Sequence, residues 1–269
     1  MKAGANWLLR VELVCVIALQ LIGCAQNGSG SGGGGTTVPD TSLIGNWQFQ
    51  VTSTGNVPFT ALSGFVNEVG TAGDSTVTTA SLQVQSNGCF ANTKVLDFEG
   101  FTKSPLSQLT SFPSESQVVT LGLSQQCTGV SLCGTYTIAG GCADTATGSI
   151  VGVLYSQLAG TFSTASSAPA GLKITINQPS QGTGQGSFQV SGSMTFTGLS
   201  CATSGSIDST QSFLSGSSLH LVSTTNAAMS PQLIIDANIN PTATTLTLNA
   251  ITSANSCFGS LNGISLSKT

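Results

Sequence analysis

The amino-acid sequence predicts an all-β protein, an antiparallel meander barrel or sandwich in two related halves. Three observations predict it. Polar and apolar residues alternate in short runs, clusters of Gly, Asn and Ser interrupt those runs, and landmarks of the first half recur in register in the second. Alternation marks a strand with one buried face, because successive side chains on a strand point to opposite sides of the sheet. It is strict in Asn46-Trp47-Gln48-Phe49-Gln50-Val51, in Leu172-Lys173-Ile174-Thr175-Ile176 and in Thr244-Thr245-Leu246-Thr247-Leu248. No stretch carries the apolar period of an amphipathic helix, and the closely spaced turn residues are those of a sandwich or barrel.

The chain opens with a basic segment, Lys2 and Arg10, followed by an apolar run at residues 13–22. At about 1.5 Å per residue this run spans roughly 15 Å, half a bilayer core, so it reads as a signal peptide and not a membrane span. It ends in Leu21-Ile22-Gly23-Cys24, which resembles the lipobox of bacterial lipoproteins. The resemblance implies a diacylglycerol on the Cys24 thiol and cleavage after Gly23. It also implies stable anchoring, since two or more acyl chains hold a protein at a membrane where one does not. Ala25 replaces the aspartate that resembles an inner-membrane retention signal in Gram-negative lipoproteins, which implies an outer-membrane location for a protein of such a source. Residues 26–40 are rich in Gly and Ser and read as a tether of roughly 20 Å reach. The expected organisation is signal peptide 1–23, lipidated cysteine and tether 24–42, first half 43–157 and second half 158–269.

Cleavage before Cys24 removes Lys2, Arg10 and Glu12, leaving nine acids and four bases, a net charge of about −5. The mature chain then has no Arg, and a nucleic-acid interface needs clustered Lys and Arg. Disorder needs low hydrophobicity with high charge, whereas 39% of these residues are hydrophobic and 6% charged. With so few ion pairs available, burial and disulfides must carry the stability.

Six cysteines remain in the body: Cys89, Cys127, Cys133, Cys142, Cys201 and Cys257. An even number in an exported chain implies a disulfide framework. Zinc would want short paired spacings with histidine. Only Cys127 and Cys133 are close and His220 is the single histidine, so neither a metal nor another cofactor is expected. The repeat bears on the pairing. Gly45-Asn46-Trp47 resembles Gly160-Thr161-Phe162, and 95 residues separate Trp47 from Cys142 as they separate Phe162 from Cys257. Cys89 follows Trp47 by 42 residues and Cys201 follows Phe162 by 39. Equivalent landmarks should bond equivalently, which pairs Cys89 with Cys142 and Cys201 with Cys257 and leaves Cys127 with Cys133. The Gly-x-Trp opening at residues 45–47 is also similar to that of lipocalin-like barrels, which implies a Trp47 that plugs one barrel end. The Ser/Thr/Gly-rich body resembles bacterial surface lipoproteins that bring no known activity with them.

Chemistry is sparse. His220 lies in Ser218-Leu219-His220-Leu221-Val222, opposite the apolar face, and reads as an exposed strand histidine with no G-x-S-x-G nucleophile to serve. Asp97 and Glu99 share a strand face at i, i+2. That spacing suits half of a glycosidase pair or a calcium site less well than a solvated face. The Gly-rich residues 182–186 lack the following helix that a phosphate cradle needs and read as a hairpin loop. Ser265 and Lys268 match S-x-x-K in letters only. A transmembrane barrel would need aromatic girdles, and the mature chain has only Trp47, Tyr136 and Tyr155 beyond its Phe residues. The expectation is therefore a non-catalytic, lipid-anchored envelope lipoprotein acting through its surface on an envelope component. The alternatives are a carrier with a small apolar ligand in a barrel cavity, or an envelope glycan hydrolase using Asp97 and Glu99.

Overall fold

The computed structural model describes residues 42–53, 57–91, 94–103, 105–114, 116–127, 131–165, 171–199, 203–223, 232–253, 258 and 261–269. The fold is all-β. A closed eight-stranded antiparallel barrel is followed by a curled ten-stranded antiparallel sheet.

The barrel is a meander of β1 (Gly45–Val51), β2 (Phe59–Ala72), β3 (Ser75–Ser86), β4 (Val95–Lys103), β5 (Leu106–Ser111), β6 (Val118–Ser124), β7 (Leu132–Ala139) and β8 (Thr147–Tyr155). Each strand pairs with the next, and β8 closes the ring on β1 with Trp47 opposite Leu154 and Gln50 opposite Val151. Alternation sorts the faces. On β3, Ala80, Leu82 and Val84 point into the barrel, while Thr79, Ser81 and Gln83 point out. The interior is filled by side chains, among them Trp47, Phe49, Phe59, Leu62, Leu82, Phe98, Leu121 and Tyr136. Fully burying one such side chain contributes roughly 1.5–3 kcal/mol. Near one end Trp47 stacks on Phe49 and its Nε1 donates to the Leu43 carbonyl at 2.7 Å. Near the other, Phe90 packs edge-on to Phe59, beside the Cys89–Cys142 disulfide. Apolar side chains inside and hydroxyls and amides outside are the reverse of a water-filled membrane barrel.

The second sheet comprises β9 (Gly160–Ser163), β10 (Gly171–Asn177), β11 (Phe188–Gln189), β12 (Ser191–Thr197), β13 (Ser204–Ile207), β14 (Phe213–Ser215), β15 (Ser218–Val222), β16 (Ile234–Ile239), β17 (Thr245–Thr252) and β18 (Ser265–Lys268). Its order is β11-β14-β15-β16-β17-β18-β9-β10-β12-β13. The run from β15 to β13 curls until its ends meet. Ile207 at the end of β13 bridges Ser223 just beyond β15, and the Asp208 amide donates to the Val222 carbonyl at 2.8 Å. Eight strands thus form a ring joined at one seam, with β14 and β11 laid beside it.

That ring has the barrel's order. Its opening strand, β9, pairs with the following strand β10 and the last strand β18, as β1 pairs with β2 and β8. Phe162 takes the place of Trp47 and is fully buried. The offset between those two aromatics also carries β6 onto β16 and β7 onto β17. Of the three expected disulfides, Cys89–Cys142 and Cys127–Cys133 are formed, with Cα separations of 5.8 and 5.9 Å. Cys201 and Cys257, and with them the third bond, lie outside the described residues, as do Cys24 and the whole of residues 1–41.

Barrel and sheet belong to one compact unit, Asp40–Thr269. Asn46, 1% exposed, donates to the Gly216 carbonyl and accepts from the Gly216 amide, both at 2.7 Å. Phe65 points out of the barrel and meets the Phe188 ring edge-on at 5.1 Å. Two glycines permit the approach. A Cβ on Gly64 would stand 2.3 Å from the Ser81 carbonyl oxygen and 2.8 Å from that of Gly186. Gly186 itself turns at φ 66°, a conformation that favours glycine.

Candidate functional site

The described recess that carries acidic groups lies on the outer wall of the barrel, where the second half overhangs it. Its floor is the cross-strand row Asn67, Thr79 and Glu99, with Ser81 and Asp97 paired beside it. Cross-strand partners on one face are close neighbours, and the Ser81 hydroxyl donates to Asp97 Oδ1 at 2.6 Å. Phe65 and Phe112 add apolar walls, and Gly182, Thr183 and Gly184 form the roof. The cleft encloses about 240 Å³ and is open to solvent.

The roof is a hairpin turn, as the glycine pattern predicts. Thr183 bridges Ser187, its amide donating to the Ser187 carbonyl at 2.7 Å, and the Gly186 amide donates back to Thr183. The loop is pinned to the barrel by Gln83 Nε2, which donates to the Gln185 carbonyl at 2.9 Å. It is pinned to its own sheet by the Ser215 hydroxyl, which donates to the Gly186 carbonyl at the same distance. Glycine at 182 is needed because a Cβ there would stand 2.6 Å from Phe65 Cβ. The structure thus brings together two segments that the sequence flags separately, the carboxylate pair and the Gly-rich stretch. Asp97 is exposed and Glu99 half-buried on the outer barrel face, as a solvated face requires, and both line the open cleft. Chemically, the cleft offers two carboxylates on one wall, hydroxyls and an amide beside them, and a glycine-rich turn opposite. A glycosidase needs its two carboxyl groups flanking the bond to be cut, and among the described lining residues the roof supplies none.

His220 occupies the face opposite Leu219 and Leu221, as alternation predicts. Two partners escape the sequence. His220 Nδ1 lies 2.6 Å from Asp236 Oδ1, its cross-strand neighbour on β16, and the ring stacks on Phe213 at 5.0 Å. The side chains are 28% and 50% exposed. The pair lies on an outer sheet face, and no nucleophile is hydrogen-bonded to it among the described residues. Ser265 and Lys268 share β18, and Lys268 Nζ lies 6.0 Å from the centre of the Phe162 ring. No group of three or more His, Cys, Asp or Glu able to hold a metal ion occurs among the described residues.

Among the described residues two titrations are shifted. Burial pushes the Tyr155 phenol up, partly offset by a hydrogen bond with the Ser217 side chain. This tyrosine stands where β8 leaves the barrel, and its hydroxyl donates to Gln48 Oε1 at 3.2 Å. Asp208 is held down by hydrogen bonds, first from the Thr210 hydroxyl, then from the Thr210 amide and Gln211. It sits in the turn that follows the seam.

Comparison with protein-family models, with curated proteins and with solved structures finds no match for this chain.

Proposed function

We propose that this protein is a non-catalytic lipoprotein of the cell envelope, held to a membrane, the outer one in a Gram-negative source, by lipid on Cys24. Its body acts by presenting its surface to another envelope component. The observation that carries this reading is the placement of the acidic groups. Asp97 and Glu99 stand on one wall of an open cleft whose roof is Gly182, Thr183 and Gly184. That is a surface for contact, without the opposed carboxylates of a glycan hydrolase. A carrier of a small apolar ligand needs an apolar cavity of a few hundred Å³. Here the barrel interior is occupied by its own Trp, Phe, Leu and Tyr side chains.

The anchoring half of the proposal is tested by metabolic labelling with radioactive palmitate. Wild-type protein takes the label and partitions into detergent, and Cys24→Ala does neither. The functional half is tested by complementing a deletion strain. Asp97→Asn with Glu99→Gln removes the charge of the cleft, and His220→Ala removes the single histidine. A surface binder loses its phenotype with the first and keeps it with the second. Hydrolysis of a purified envelope glycan that disappears with Asp97→Asn would overturn the non-catalytic reading.

A further inference from the structure

Four large hydrophobic side chains are exposed among the described residues: Ile44, Val69, Leu106 and Phe213. Three of them belong to one end of the barrel. Ile44 immediately precedes β1, Val69 lies in the last turn-ward part of β2, and Leu106 opens β5 straight after the β4–β5 hairpin. In an antiparallel meander, the start of β1, the end of β2 and the start of β5 all fall at the same rim. Their exposures are 46%, 57% and 62%. Scattered exposed apolar residues are ordinary, and grouped ones mark a contact surface.

The rim is built for this. Val69 falls at a register shift between Glu68 and Gly70, where one extra residue stands on β2 opposite Thr78 and Val77. A bulge of that kind re-aims a side chain, and at sheet edges it is a designed feature. The charges at the same end are occupied. Lys103 of the β4–β5 hairpin meets Asp74 of the β2–β3 hairpin at 3.6 Å. The Glu68 carboxylate accepts from the Leu43 amide at 2.7 Å and from the Ser42 hydroxyl at 3.2 Å. That last contact also shows where the chain arrives: Ser42, the first described residue, is strapped to this rim. The described chain thus begins at this rim, eighteen residues after Cys24, so lipid on Cys24 would tether the body from this end.

We infer that the rim bearing Ile44, Val69 and Leu106 is a membrane-contact surface, which seats the lipid-anchored body on the bilayer it is tethered to. The inference rests on the proposed lipidation of Cys24. The three side chains reach the headgroup–acyl boundary, about 5–10 Å deep, in the manner of interfacial anchors. The contact orients the body, so that the barrel end with Phe90 and the Cys89–Cys142 disulfide faces away from the membrane.

The test uses the full-length protein purified from membranes and reconstituted into phosphatidylethanolamine/phosphatidylglycerol vesicles with brominated acyl chains. Bromine quenches tryptophan within the boundary region. Val69→Trp, Leu106→Trp and, as a control away from the rim, Phe213→Trp each add one probe to the enclosed Trp47. The exposed positions tolerate the change, and an unaltered melting curve confirms it. The added fluorescence at 69 and 106 should be lower on brominated than on unbrominated vesicles, because interfacial anchors sit about 5–10 Å deep, while that at 213 is unchanged. Equal quenching at all three positions, or none at the rim, in protein that carries palmitate overturns the inference and leaves the anchor standing. Absence of palmitate with rim quenching overturns the anchor and keeps the contact. Absence of both overturns the two together.

Discussion

Replacing Asn46 by alanine should separate what holds the barrel to the second half from what holds each together. Asn46 is the buried link across that contact, with one hydrogen bond given to Gly216 and one received from it, both at 2.7 Å. Alanine removes both partners' satisfaction at once. A buried backbone group left without a partner costs about 1–3 kcal/mol, and two are affected. Water reaching the Gly216 turn recovers part of this, so the expected loss is about 2–4 kcal/mol. For a body of this size each kcal/mol lowers the melting temperature by about 2–4 °C, and the predicted drop is about 5–15 °C. The assay is thermal and urea denaturation followed by two probes, Trp47 fluorescence for the barrel and far-ultraviolet circular dichroism for both halves. One cooperative transition that moves as a whole means that the contact couples the halves. Two transitions, with Trp47 unmoved, mean that the halves unfold separately and that the second depends on the barrel. A loss below about 0.5 kcal/mol, the range of an ordinary surface change, would refute the reasoning that this contact is structural.

Gly64→Ala should cost about 1–3 kcal/mol or more, because its Cβ would overlap two carbonyl oxygens, and overpacking of this kind forces backbone shifts. Protease nicking of residues 182–186 in that variant reports whether the roof loop lifts. Loss of Cys89–Cys142, which spans 53 residues, should cost about 4 kcal/mol in the chain-entropy model, against about 2 for Cys127–Cys133, which spans six. Urea unfolding of Cys89→Ser/Cys142→Ser and Cys127→Ser/Cys133→Ser measures the two, and an equal loss would refute the loop-length argument. Tyr155 links stability to alkaline pH. Its folded pKa lies above the ordinary 10.0, so its contribution is whole below about pH 10 and lost as pH rises through the raised value. Tyr155→Phe should flatten that alkaline decline. Asp208 acts at the other extreme: its folded pKa is lowered, so its contribution is present above 3.8 and lost as pH falls through the lower value. Asp208→Asn should reduce acid sensitivity in a pH series of urea midpoints.

What the sequence reveals, and what it withholds, follows from the range of the interactions. Alternation in residues 46–51 is local, and the structure places Trp47 and Phe49 inside and Gln48 and Gln50 outside accordingly. The repeat is visible because 95 residues separate Trp47 from Cys142 and Phe162 from Cys257 alike, and the strand order of the two rings agrees. Long β2 is less legible. It alternates imperfectly because register shifts near Phe59 and Val69 break the period. The His220–Asp236 pair is invisible in one dimension, since sixteen residues separate the two and only the β15–β16 register makes them neighbours. The cleft is hidden for the same reason: nothing in residues 182–186 says that they roof Asp97 and Glu99, and only packing around Gly64 and Phe65 brings them there.

The single seam in the second ring has a further consequence. Within the ring of eight strands every other strand is held by a ladder on both sides, but β13 has a full ladder to β12 and only the Ile207–Ser223 bridge on its other flank. Opening there requires few bonds to break, so the amides of residues 204–207 should exchange with solvent well before those of β10 or β16. An opened seam offers a bare strand edge, the template on which identical chains join. The shortness of β13, four residues, limits how far such pairing could run. The Asp208 turn, locked by Thr210 and Gln211, acts as a latch on the same seam. The tendency of copies to associate through this edge is thus set at one turn and one bridge.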